Sequence, residues 1–295
     1  MSINETLLWT ALVTPLTQSG EVDYPSLEKL LKQQEEIGNG LLILGSTGEA
    51  LNLDEEERKK ILSFTIGLEL KVPLMCGVGG IHLESTLKWV HYLETLPLHA
   101  YLMVTPLYAK PGSIGQTHWF KTLLDASSRP TVLYNVPSRS GSSLSLEAIK
   151  TLKDHPHFWG IKEASGKVQD FKKYREAAPK SKIFSGDDAM MPAFTPHGVN
   201  GLISVASNVW PKATLRYVQK CLDGQLNQEE SKLWEEATNL LFMASNPIPV
   251  KRLLHELSHI SSPTLRAPLH EDDLKEISIL KEANQRIQLW LEKNQ

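Results

Sequence analysis

Lys162 closes the segment FWGIK at 158 to 162 and so places one ammonium directly after an apolar run, whereas Lys71 and Lys182 stand where such runs begin. An unperturbed lysine is neutral in only about one part in a few thousand at pH 7. To act as a nucleophile it must lose solvation, which favours the uncharged amine. A structural reading competes with this one: the stem lines an interior while the head pairs with a carboxylate, Glu163 being adjacent. Tyr134 stands near the end of the run TVLYNV at 131 to 136. Its phenol could relay protons while an amine forms an imine, or it is an interior aromatic with a satisfied hydroxyl. Ser46 and Thr47, in the Gly-flanked GSTGE, offer hydroxyls and backbone N–H groups suited to a carboxylate, a plain turn being the alternative. Tyr108 follows another run in TPLY, and Arg139 follows Pro137, where a guanidinium could grip a carboxylate bidentately or stay solvated.

These residues need elements that bring them to one place. Short continuous apolar runs begin near 7, 41, 72, 101, 131, 158, 182 and 201. A strand buried on both faces reads as such a run, and that means parallel strands covered by helices. The seven steps average about 28 residues, the length of one βα unit. Amphipathic helices fill the gaps, with Leu27, Leu30, Leu31 and Ile37 on one face and Leu83, Leu87, Val90 and Leu93 on another. Asp54 with Glu57 predicts a capping box. No GxGxxG follows the first run, so the eight units predict a closed (β/α)8 TIM barrel over residues 1–210 rather than an open doubly wound sheet. Residues 211–295 predict a C-terminal helical domain, with helices near 212 to 223, 228 to 245, 249 to 260 and 272 to 291. Barrels of this kind do chemistry where strands end, which is where Lys162, Tyr134, Tyr108, Ser46 and Thr47 fall.

Several classes lose support. The chain has 295 residues, 41% apolar and 22% charged, with 31 basic and 34 acidic side chains and a net charge of -3, and it shows no long basic run, so neither nucleic acid nor an anionic membrane is expected as a partner. Cys76 and Cys221 are far apart and fit a reducing, cytoplasmic setting better than a disulfide framework. No signal peptide or spanning segment is readable, and Met1 is expected to begin the mature protein. There is neither a GxxxxGK[ST] loop nor a GxSxG elbow. Asp187 and Asp188 read as a cap on the following helix rather than a metal site. HELSH at 255 to 259 is the one literal metal motif. On a helix it would set His255 and His259 on one face, with Glu256 as general base of a zinc metallopeptidase, but it lies beyond the expected barrel.

The segments GSTGEA, TPLYAKP, YNVPSRSG, GIKEASG, FSGDD, GLISVASNV and NPIPVK, in this order and across nearly the whole chain, resemble the dihydrodipicolinate synthase / N-acetylneuraminate lyase family of class I aldolases. The resemblance implies a barrel with a helical extension, no cofactor and no metal, and a homotetramer built as a pair of dimers. It implies that Lys162 forms a Schiff base with pyruvate, that Tyr134 and Thr47 relay protons, and that Tyr108 completes the relay from the adjacent subunit. Ser46 and Thr47 would hold the pyruvate carboxylate, and Gly186 and Ile203 would supply backbone contacts near it. YNVPSR with its arginine resembles the synthase branch, in which Arg139 would receive the carboxylate of L-aspartate 4-semialdehyde in the diaminopimelate and lysine pathway. The alternative is another pyruvate-dependent aldolase of the family, acting on N-acetylneuraminate or a 2-keto-3-deoxy sugar acid. Ser46 stands where synthases commonly have threonine. Leu107 before Tyr108, and GGIHLES without an asparagine after its glycines, depart from the lysine-regulated pattern, so weak or absent inhibition by lysine is expected.

Overall fold

The computed structural model describes residues 2–294. Strands β1 (Leu8–Ala11), β2 (Gly40–Ile43), β3 (Leu74–Val78), β4 (Ala100–Val104), β5 (Thr131–Asn135), β6 (Phe158–Glu163), β7 (Lys182–Ser185) and β8 (Leu202–Ser204) follow one another in chain order around a closed barrel. Each grows out of one of the continuous apolar runs. Most strand residues are buried whichever way they point, which is why the runs do not alternate. Among the described residues no helix is long and apolar enough to cross a membrane.

Twelve α-helices are formed by the described residues: α1 (Tyr24–Ile37), α2 (Glu55–Gly67), α3 (Leu83–Glu94), α4 (Ser113–Asp125), α5 (Pro137–Ser140), α6 (Leu146–Leu152), α7 (Val168–Ala177), α8 (Met191–Phe194), α9 (Pro211–Leu222), α10 (Gln228–Leu240), α11 (Ile248–Glu256) and α12 (Ser278–Lys293). The chain divides into two compact units, one made of residues up to Pro73 with those from Ser204 onward, the other of Leu74–Ile203.

In the unit Leu74–Ile203, β3 to β7 pair in parallel in sequence order, and Tyr134 lies in register with Lys162, which in turn lies in register with Phe184. Helix α3 buries Thr86, Trp89, Val90 and Leu93, while Leu83 and Leu87 are only half-buried. The core stripe is thus set by Trp89 and lies beside the one the leucines suggest.

In the other unit β1 pairs with β2. The buried amide of Gln34, on α1, takes hydrogen bonds from Thr10 and Asn39, each 2.8 Å, and donates to the Ser207 carbonyl at 2.8 Å. Asn208 accepts from the Val13 N–H and donates to the Ala11 carbonyl, satisfying the end of β1. Helix α2 begins with the capping box read from the sequence, Asp54 accepting from the Glu57 N–H and Glu57 from the Asp54 N–H. Helices α9, α10 and α12 pack around Trp234, against which Tyr217 stacks at 4.3 Å and Trp210 and Trp290 stand edge-on. Helix α10 stops at Leu240 instead of running to 245. Pro247 disfavours a helical Asn246, and the chain turns before α11. Helix α12 starts at Ser278 rather than near 272, because Glu271–Asp273 forms one 3-10 turn and Leu274 is buried in an extended conformation.

Candidate active site

Lys162 is 3% exposed, at the penultimate position of β6. Its Nζ lies 4.4 Å from the centroid of the Tyr134 ring on the neighbouring strand. The adjacent Glu163 does not neutralise it, since successive side chains on a strand point to opposite faces. The Glu163 carboxylate is bound instead by Asn135 Nδ2 at 2.6 Å and the Ser165 N–H at 2.7 Å, while burial raises its pKa above the ordinary carboxylate range. Burial pulls the Lys162 ammonium down to about 7; the buried Asp188 carboxylate opposes that shift and the Arg139 guanidinium adds to it. The lysine therefore exists partly as free amine near neutrality, a condition for nucleophilic attack on a carbonyl.

The residues around it enforce that position. A Cβ on Gly186 would stand 2.7 Å from Lys162 Cε and 2.8 Å from Ala164 Cβ, so only glycine lets the end of β7 pass this close to the lysine stem. The Gly186 N–H donates to the Glu163 carbonyl at 2.7 Å. Beyond it Asp187 caps the next turn by accepting from the Ala189 N–H, as expected of this pair, and Asp188 is fully buried. Ile203 is buried within β8. Arg139 is exposed on α5, which the Pro137 ring starts and Gly141 in left-handed conformation ends. Tyr108 is 88% exposed with φ 64°, and its N–H donates to the Ser140 carbonyl at 3.2 Å, so the loop after β4 is fastened to α5. Lys162 is thus brought against Tyr134 on one side and Gly186 on another, with Arg139 and Asp188 within electrostatic reach, while the Tyr108 ring faces solvent.

Ser46 and Thr47 lie in the other unit, in the turn after β2. Ser46 is exposed and Thr47 is 2% exposed. Leu44 and Glu49 both have left-handed backbone, at φ 57° and 54°, and fold the segment between them into a tight turn in which the Ser46 carbonyl accepts from the Glu49 N–H. Gly48 belongs here: its Cβ would meet the Leu12 carbonyl oxygen at 3.0 Å.

The chain matches the profile of the dihydrodipicolinate synthetase family over residues 5–286. It belongs to this family. Relatives share its length: the 4-hydroxy-tetrahydrodipicolinate synthase of Wolbachia pipientis subsp. Culex pipiens is 45% identical over 291 residues, 98% of this chain and 99% of that protein. That of Francisella tularensis subsp. novicida is 47% identical over 283 residues, 96% of each. Among solved structures, the chloride-inhibited dihydrodipicolinate synthase of Acinetobacter baumannii, complexed with pyruvate, aligns with a TM-score of 0.89 at 32% identity over 96% of this chain and 99% of that one. A monomeric variant of a dihydrodipicolinate synthase aligns equally well, with a TM-score of 0.89 at 32% identity.

Family membership leaves the HELSH reading without support, and the geometry removes its basis. Helix α11 ends at Glu256, Leu257 caps it, and Ser258 turns left-handed at φ 56°, so His255 and His259 do not occupy successive turns of one helix. His255 Nδ1 faces the Ile260 carbonyl at 3.4 Å. Among the described residues no three His, Cys, Asp or Glu side chains are grouped to hold a metal ion.

Asn246, Lys251 and Glu49 fall in the segments NPIPVK and GSTGEA, but their pairings near Thr47 escape a reading of the sequence. Asn246 Nδ2 donates to Thr47 Oγ1 at 3.0 Å, and Lys251 Nζ, fully buried on α11, donates to Glu49 Oε1 at 2.8 Å and to the Thr14 carbonyl at 3.0 Å. Glu49 Oε2 accepts from the Arg266 N–H at 2.7 Å. Beyond those segments the signal in the sequence is a lysine at an apolar-face position of IPVKRLL, with nothing to say which carboxylate answers it.

Proposed function

We infer that the chain carries out the 4-hydroxy-tetrahydrodipicolinate synthase reaction, condensing pyruvate with L-aspartate 4-semialdehyde as a Schiff-base-forming lyase. The observation that carries this is the desolvated Lys162 amine against the Tyr134 ring, in a chain of this family. The amine adds to the pyruvate ketone and water leaves as the imine forms. The protonated imine draws electrons from the adjacent methyl, which gives up a proton to become an enamine. The enamine carbon attacks the aldehyde, and the substrate's own amine then displaces lysine as the ring closes. In this reading Tyr134 and Thr47 relay the protons, and Tyr108 contributes to the relay of an adjacent subunit in a homotetramer. Ser46 and Thr47 hold the pyruvate carboxylate, Gly186 and Ile203 offer backbone contacts, and Arg139 receives the carboxylate of the aldehyde. A cation at this position suits a small carboxylated aldehyde better than a polyhydroxylated sugar, which wants neutral hydrogen-bonding groups. The setting is the cytoplasm, where the buried Cys76 and Cys221, which form no disulfide, stay reduced.

Borohydride reduction with pyruvate followed by peptide mass mapping is expected to place the adduct on Lys162 alone. An adduct elsewhere, or none, overturns the class. Turnover with L-aspartate 4-semialdehyde, measured beside cleavage of N-acetylneuraminate, identifies the second substrate.

A further inference from the structure

We propose that Asn246 is a positioning residue that sets the direction in which the Thr47 hydroxyl passes its proton; this rests on the relay role of Thr47 given above. A threonine hydroxyl has one proton to give and two lone pairs to receive. Asn246 Nδ2 occupies one lone pair of Thr47 Oγ1 at 3.0 Å, in a contact where both side chains are buried. An amide nitrogen cannot accept, so the Thr47 proton must be directed elsewhere, and one acceptor site remains. The hydroxyl becomes a one-in, one-out element: it can take a proton from one partner only while giving its own to another. Without the amide the hydroxyl is free to turn its proton toward the space Asn246 occupies, and relay geometry is lost for part of the time.

The same stretch of chain holds the turn at a second point. Lys251, five residues after Asn246, reaches Glu49, two residues after Thr47, and Glu49 is also held by the Arg266 N–H. Loss of the Asn246 amide therefore leaves this second fastening of the turn in place.

The test is a double-mutant cycle on the full-length enzyme, reading kcat and the KM for L-aspartate 4-semialdehyde. Asn246→Leu, close in shape and without a donor, is expected to lower kcat about 10- to 100-fold with KM changed less than about twofold, the range of a misdirected proton transfer. In a Thr47→Val background the same substitution is expected to change kcat less than about twofold, because the group it orients is gone. An equal factor in both backgrounds, or a change confined to KM, overturns the proposal. Thr47→Val alone reports on the underlying reading: wild-type kcat in that variant removes Thr47 from the relay, whereas its loss together with an additive Asn246 effect sinks only the positioning role. Asn246→Ala carries the same comparison should the leucine variant fail to fold.

Discussion

Unfolded, Lys162 holds its proton up to its ordinary pKa of 10.5; folded, burial releases it at about 7. Between these values the unfolded chain binds a proton that the folded chain does not, so stability rises with pH across that window and the penalty is complete below about 7. Lys162→Met should therefore abolish imine trapping yet raise the free energy of unfolding at pH 7 by an amount on the order of 2–5 kcal/mol, seen as a higher midpoint in thermal or denaturant unfolding. A lower midpoint would show that the ammonium is stabilised where it sits. In the wild type, trapping of pyruvate should accelerate with pH through about 7 and level off above it. In the proposed reading Arg139 serves only the second substrate, so Arg139→Ala should lower kcat/KM for the aldehyde roughly 10- to 100-fold, the worth of a charge-assisted hydrogen bond, and leave pyruvate trapping intact. If trapping falls by the same factor, the guanidinium serves the first substrate instead.

Helix α11 and the turn after β2 act together through one fully buried ion pair. Lys251 and Glu49 answer each other, and each is further satisfied by backbone, so removing one leaves a buried charge without compensation. Lys251→Met should cost about 3–5 kcal/mol by denaturant unfolding, and adding Glu49→Gln should recover part of that loss. A single variant with wild-type stability would mean the pair contributes nothing net. Helix α2 offers a smaller, local contrast: Asp54→Ala removes half a capping box and should cost about 1 kcal/mol without touching turnover.

At the scale of the whole molecule Tyr108 matters because it is 88% exposed in the single chain. If it serves the site of a neighbouring subunit, a Tyr108→Phe variant and a Lys162→Ala variant, each defective alone, should regain activity when their subunits are exchanged, because one mixed site then has both groups. Additive activity of the mixture after subunit exchange, verified by native mass spectrometry, would count against that sharing. Leu107 and the GGIHLES segment carry a second expectation at this scale. Lysine should inhibit weakly or not at all in steady-state assays, and a submillimolar inhibition constant would contradict it.

Runs such as TVLYNV and FWGIK disclose the barrel because strands buried on both faces must be apolar throughout, a constraint written locally along the chain. Lys162 is legible as a candidate for the same reason, as a charge standing at the end of an apolar strand. The capping box on α2 is legible because its partners are three residues apart. The pairings of Asn246 and Lys251 are not, for their partners Thr47 and Glu49 lie 199 and 202 positions away. Nor does HELSH reveal that its helix ends inside the motif, since that depends on Ser258 adopting a left-handed turn. Local sequence determined which segments are strands and that one of them ends in an amine. Only folding decided that Asn135 answers the Glu163 carboxylate, and which distant amide and ammonium hold the turn carrying Thr47, because hydrogen bonds and ion pairs depend on distance in space and leave no period along the chain.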